Sequence, residues 1–110
     1  MIEKQDFEVL EQQLEQFAAT RNLNSAEAKP VVDAYFQLLI DYFKQINQIS
    51  AIDFESLSLY PIVPMNFYER YQYLLTRKYH FMGYRQMKTL KSELIKMAAS
   101  YQTRLKFRKS

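Results

Sequence analysis

The chain has 110 residues, 48% of them hydrophobic and 25% charged, with one glycine, three prolines, no cysteine and no tryptophan. That is one domain's worth of chain, able to bury about 65% of its unfolded surface, and the composition excludes collagen, low-complexity disorder, a disulfide scaffold and a thiolate metal cluster. A single glycine also argues against glycine-rich phosphate loops, tight hairpins and most sheet-rich folds, whose turns need positive φ.

The first helix is expected over about residues 6–20, because Phe7, Leu10, Leu14 and Phe17 recur at spacings of three, four and three along one stripe. Glu8, Glu11, Gln12 and Glu15 fall largely outside that stripe. The segment Arg21–Ser25 reads as a break, with Ser25 as cap of a short turn at Ala26–Lys29. A second helix should start near Pro30, whose missing N–H costs nothing in a first turn, and run to about Gln48. Val31, Tyr35, Leu38, Tyr42, Ile46 and Ile49 mark its main apolar face. Ala34, Leu39, Ile40 and Phe43 widen that face, as expected of a central helix covered on more than one side.

Residues 50–65 contain Pro61 and Pro64, which prevent an ordinary helix there. Asp53 is placed to cap one short turn through Leu57, and Ile52, Phe54, Leu57, Leu59, Ile62 and Val63 imply a connection packed on the body, not a domain boundary. A third helix is expected over about 67–77, opened by an Asn66-x-x-Glu69 capping box, with Phe67, Tyr71, Leu74 and Leu75 inward. The turn 78–83 uses the only glycine. A fourth helix follows over about 84–104, with Met87, Leu90, Leu94, Met97, Ala98, Tyr101 and Leu105 inside an arc of roughly 100°. Arg85, Lys88, Lys96, Lys106 and Arg108 are expected on its other side. The fold class is therefore all-α: one domain spanning 1–110, four main helices in an irregular bundle, and a proline-containing connection between the second and third.

Charge is divided unevenly along the chain. Residues 1–65 hold four basic against ten acidic side chains, a net −6, whereas residues 66–110 hold eleven basic against two acidic, a net +9. Such asymmetry points to an anionic partner for the basic half, or to two halves that face each other in the fold. The opening residues lack a basic region followed by an apolar stretch, and no apolar run approaches the 18 or so residues of a membrane span. A cytoplasmic location is the expectation.

The stretch Pro64-Met65-Asn66-Phe67-Tyr68-Glu69-Arg70, then Arg77, His80-Phe81-Met82-Gly83-Tyr84-Arg85-Gln86-Met87, Leu90 and Glu93-Leu94-Ile95-Lys96 resembles the YpoC-like family of small bacterial proteins. Pro64, Asn66, Glu69, Arg70, Arg77, His80, Tyr84, Gln86, Glu93 and Lys96 stand where the family pattern has them. Lys78 replaces an expected proline, and Met82 a second histidine. The resemblance covers about residues 64–101. It implies no defined activity; the association of such genes with DNA maintenance leans toward nucleic acid.

Metal binding is disfavoured by the absence of cysteine and the presence of one histidine, His80, and no Glu-x-x-His motif occurs. No cofactor is expected. Nothing organises a nucleophile around His80, and Glu69, Arg70 and Arg77 are explained by capping and by pairing with carboxylates of the first two helices; an enzymatic cleft would require those three to converge with His80. The stronger signal is the interleaving of aromatic and basic residues from Phe67 to Arg85, which suits phosphate, stacked bases or a protein interface. The expectation is a non-enzymatic accessory protein that binds an anionic partner, above all nucleic acid. Arg85, Lys88, Lys96, Arg104, Lys106, Arg108 and Lys109 would contact phosphate, with Arg77, Lys78, Tyr79 and His80 at the rim. The alternative is a protein-interaction adaptor or homodimer that uses the Tyr/Arg surface of the third helix and the 78–84 turn.

Overall fold

The structure, a computed structural model, describes residues 1–108. Four α-helices follow one another: α1 (Lys4–Ala19), α2 (Lys29–Asn47), α3 (Phe67–Arg77) and α4 (Phe81–Arg108), with a 3₁₀ helix at Phe54–Leu59 in the connection between α2 and α3. No strand occurs among the described residues. α4 packs against each of the other three helices, while α2 lies against α1 and α4 and meets α3 through the rings of Phe36–Tyr71 and Phe43–Phe67.

Local chemistry accounts for most of the boundaries. The backbone N–H of Glu3 donates to the Asp6 carboxylate at 2.7 Å, so α1 opens two residues ahead of the expected start. Ser25 Oγ accepts the Ala28 N–H at 3.1 Å and Pro30 falls in the first turn of α2, as expected. Asp53 caps the 3₁₀ helix by accepting the Glu55 N–H at 3.0 Å. α1 and α2 both end through a residue in the left-handed region, Arg21 (φ 60°) and Gln48 (φ 56°), in place of the more usual glycine.

The core is aromatic and continuous across the bundle. Phe7, Tyr35 and Tyr84 meet edge to face, with Phe7–Tyr35 and Tyr35–Tyr84 centroids both 5.7 Å apart. Phe43 stacks on Phe67 at 4.3 Å. Leu14, Leu39, Leu74, Met87, Leu90 and Leu94 fill the remainder. Asn47 is buried among them: its amide donates to the Phe43 and Ile62 carbonyls at 3.0 and 2.8 Å and accepts the Ile62 N–H at 2.9 Å. That side chain ties the proline-containing connection to the end of α2.

Four sequence expectations are corrected. Asn66 does not cap α3 with its side chain: it sits in the left-handed region (φ 57°), whereas a side-chain cap requires extended backbone to reach the first free N–H groups. Leu75 points to solvent, not inward. The main buried face of α2 runs through Val32, Tyr35, Leu39, Tyr42 and Phe43, rotated from the one expected; Val31, Leu38, Ile46 and Ile49 are only half-buried. Gly83 lies within the first turn of α4, not in the turn before it. A Cβ at Gly83 would fall 1.8 Å from the Arg77 carbonyl oxygen, so glycine serves here for close approach of α3 and α4, with no positive φ involved.

Candidate anion-binding groove

The inward stripe of α4 leaves Arg85, Thr89, Ser92 and Lys96, spaced four, three and four residues apart, on a single outer stripe. That stripe faces α1 across a groove of about 650 Å³, with Glu15, Ala18 and Ala19 forming the opposite wall and Phe81, Tyr84, Lys88 and Glu93, the last paired with Arg70, contributing from α4. The alanines of α1 carry no bulk to close the groove. Arg85 and Lys96 are exposed and make no ion pair among the described residues. Thr89 Oγ donates to the Arg85 carbonyl at 3.0 Å, and its oxygen keeps the capacity to accept. Tyr84 is buried, and its hydroxyl has no hydrogen-bond partner. Burial first, then the charges of Glu15 and Glu11, push that phenol above its ordinary value.

Part of the basic half is neutralised by the acidic half. Lys91 Nζ lies 2.7 Å from Glu11 Oε2, both largely buried, and the same oxygen accepts the Tyr35 hydroxyl at 2.5 Å. Lys78 Nζ lies 2.9 Å from Asp33 Oδ1, which also accepts the Tyr79 hydroxyl at 2.6 Å. These two bonds, with that of Tyr79 the larger, hold the Asp33 carboxyl below its usual range. Lys88 reaches Glu15 at 3.0 Å across the groove, but both partners are well exposed. Such a pair contributes about 0–1 kcal/mol, so Lys88 is readily exchanged to another anion.

The eleven sequence-derived candidates therefore separate. Arg85, Lys88 and Lys96 line one groove. Lys78 and Tyr79 are engaged with Asp33. His80 is exposed and lines a neighbouring cavity of about 500 Å³ with Arg21 and Tyr79, while Arg77 is exposed and makes no ion pair among the described residues. Arg104 and Arg108 lie beside Pro61, Tyr101 and Leu105. Arg108 thus falls on the side of α4 that continues the apolar stripe, contrary to expectation, because 23 residues beyond Arg85 the 100° period has carried it there. Lys106 is exposed, and Lys109 lies outside the described residues.

Glu69, Arg70, Arg77 and His80 do not line a common cleft. Glu69 and Arg70 border a shallow cavity of about 400 Å³ with Asn66, Tyr73 and Gln86, and His80 opens onto a different one. Arg70 grips Glu93 of α4 with both guanidinium nitrogens, at 2.9 and 2.7 Å, instead of pairing with α1 or α2. The fork of hydrogen bonds holds the Glu93 carboxyl below its ordinary value.

Three contributors were missed in the sequence. Thr89 and Ser92 share the period of Arg85 and Lys96, so helical spacing alone could have found them. Arg21 could not have been found that way: its guanidinium stacks 3.7 Å from the centroid of Phe81, sixty residues away, where the two cavities meet.

The fold and this geometry define a small all-helical bundle with a polar, cation-lined groove. Residues 3–106 match the model of the YpoC-like protein family, and the chain belongs to that family. No curated protein and no solved structure matches it. Among the described residues no helix is long and apolar enough to cross a membrane, and no group of three or more His, Cys, Asp or Glu side chains is placed to hold a metal ion.

Proposed function

We propose that this chain is a non-enzymatic, cytoplasmic accessory protein that binds nucleic acid through the α1–α4 groove. The observation that carries this reading is the pairing pattern: Lys78 and Lys91 are taken up by carboxylates of α2 and α1, whereas Arg85 and Lys96 remain unpaired beside Thr89 and Ser92. Two exposed cations, two hydroxyls and a recruitable Lys88 make a surface that phosphate oxygens satisfy through charge-assisted hydrogen bonds. Release of counterions supplies the driving force.

Titration of labelled single- and double-stranded oligonucleotides at about 50 and 200 mM salt tests the reading. Binding should fall with salt, and the double variant Arg85→Glu/Lys96→Glu should weaken it across sequences and reduce the salt slope by about 1.4 to 1.8. Absence of binding to every oligonucleotide at low salt, or an unchanged slope in the double variant, refutes it. One observation favours a protein-interaction role as the second reading: Met65, Tyr68, Tyr73 and Leu75 stand exposed on and beside α3. Light scattering of the wild type and Tyr73→Ala at high concentration decides whether that surface joins two copies.

A further inference from the structure

A second cavity lies beside the groove. It is bordered by Arg21, His80 and Met82, and Phe81 lines both spaces. The exposed Arg21 guanidinium lies 3.7 Å over the Phe81 ring, and the Arg85 guanidinium lies 5.8 Å from the same centroid. Arg21 occupies a left-handed backbone position (φ 60°) that ordinarily selects glycine or asparagine. Its side chain is tethered there by an Nη1–H bond to the Ala18 carbonyl at 3.0 Å. The result is a half-exposed platform in which the guanidinium lies over the ring, one helical turn from Arg85.

The cations alone are few. Arg85 and Lys96 lie about 16 Å apart along α4 at 1.5 Å per residue, and even with Lys88 they give a salt slope of only about −2 on a single strand. Useful affinity then requires contacts beyond the phosphates. The groove also restricts the form of the ligand. A helix with its side chains is about 10–12 Å across and fills a major groove about 12 Å wide, so it enters a duplex only where its neighbours stand clear. Here Glu15, Ala18 and Ala19 of α1 wall the exposed basic stripe on one side, so α4 does not stand clear along that face.

We propose, on the basis of the nucleic-acid reading above, that the ligand of this groove is a single strand, its phosphates on Arg85, Lys88 and Lys96 and one base stacked on the Arg21–Phe81 platform. Aromatic and guanidinium planes accept any base, so the preference is for strandedness, not sequence.

The experiment compares, at about 50 mM salt, a labelled thymidine 12-mer, an abasic 12-mer with the same phosphates, and a blunt duplex of the same length. The wild type should bind the thymidine strand about tenfold or more tighter than the abasic strand, and tighter than the duplex. Phe81→Leu keeps apolar packing but removes the π face; it should erase the difference between the two strands. Arg21→Lys, which retains the charge and loses the plane, should narrow the same difference at unchanged melting temperature, and it carries the test if Phe81→Leu does not fold. Equal affinity of the wild type for thymidine and abasic strands, or tighter binding of the duplex, overturns the proposal while leaving the nucleic-acid reading in place. No binding to any of the three overturns both.

Discussion

Replacing Gly83 by alanine sets two effects of opposite sign against each other. Alanine is favoured over glycine inside a helix by about 1 kcal/mol, so on propensity alone Gly83→Ala should stabilise α4. The new methyl group would lie 1.8 Å from the Arg77 carbonyl oxygen, 2.6 Å from its carbon and 3.1 Å from Lys78 Cα. These are backbone atoms at the end of α3, so no rotamer change relieves the overlap. The helices must separate at their junction by more than an ångström, which loosens Leu74, Tyr84 and Met87 together. Overpacking against side chains that can adjust costs about 1–3 kcal/mol, and a rigid carbonyl places this case at the upper end. The net expectation is a loss of about 2 kcal/mol, or a melting temperature about 8 °C lower for a domain of this size. Thermal unfolding followed by circular dichroism measures it, with exposed Ser100→Ala as the control in which propensity acts alone. A melting temperature for Gly83→Ala equal to or above the wild type refutes the close-approach argument.

Two further predictions concern the core. Tyr35 is fully buried, and burial, followed by its bond to Glu11, pushes its phenol far above the ordinary 10. It stays protonated in the fold while the unfolded chain ionises, so its contribution is complete below pH 10 and declines by about 1.4 kcal/mol per pH unit above it. Tyr35→Phe should therefore flatten the alkaline fall in stability between pH 10 and 11.5, and an unaltered slope in chemical denaturation across that range contradicts the assignment. Asn47→Leu strips partners from both the N–H and the C=O of buried Ile62. It should cost about 3 kcal/mol in urea unfolding at unchanged m-value; a loss below about 1 kcal/mol would show that the connection is held by its apolar contacts alone.

Helix number and order were legible because each helix has either a clear apolar stripe or a recognisable stop. Phe7 and Leu14 in α1, and Met87, Leu90 and Leu94 in α4, are buried where the period placed them. Ser25 and Asp53 do the capping their residue type suggests. α2 was different. Apolar residues cover so much of its circumference that the period could not choose between the Val31–Leu38 face and the Val32–Leu39 face, and packing decided. Asn66 and Gly83 misled for a related reason. Asparagine serves both at N-caps and in left-handed turns, and glycine both at turns and at close contacts, so composition without neighbours leaves the choice open. The candidate site was half legible: helical spacing marked Arg85, Lys88 and Lys96 on α4, but which lysine meets which carboxylate is a long-range property. Lys91 and Lys88 are three residues apart on the same helix. One is locked against Glu11 and the other only leans on Glu15 across open solvent.

The outer stripe of α4 is also where the sequence departs from what helix stability favours. Arg85 is the fifth residue of the helix, near the positive end of its dipole, where a cation is unfavourable. Thr89 and Ser92 are weak helix formers at mid-helix positions, and Thr89 turns its hydroxyl back onto the carbonyl of Arg85. On the inward stripe of the same helix, Met87, Leu90 and Leu94 combine good helical propensity with full burial, and the one weak helix former, Gly83, is accounted for by its close approach to α3. Positions where local preference and global fold disagree are where a requirement other than folding is expected to act. Here they share one stripe, facing one groove, next to cations that the acidic half of the chain does not neutralise. That coincidence, more than the net charge of the chain, is the argument for placing the anion at Arg85 and Lys96 and not on the exposed cations at the end of α4.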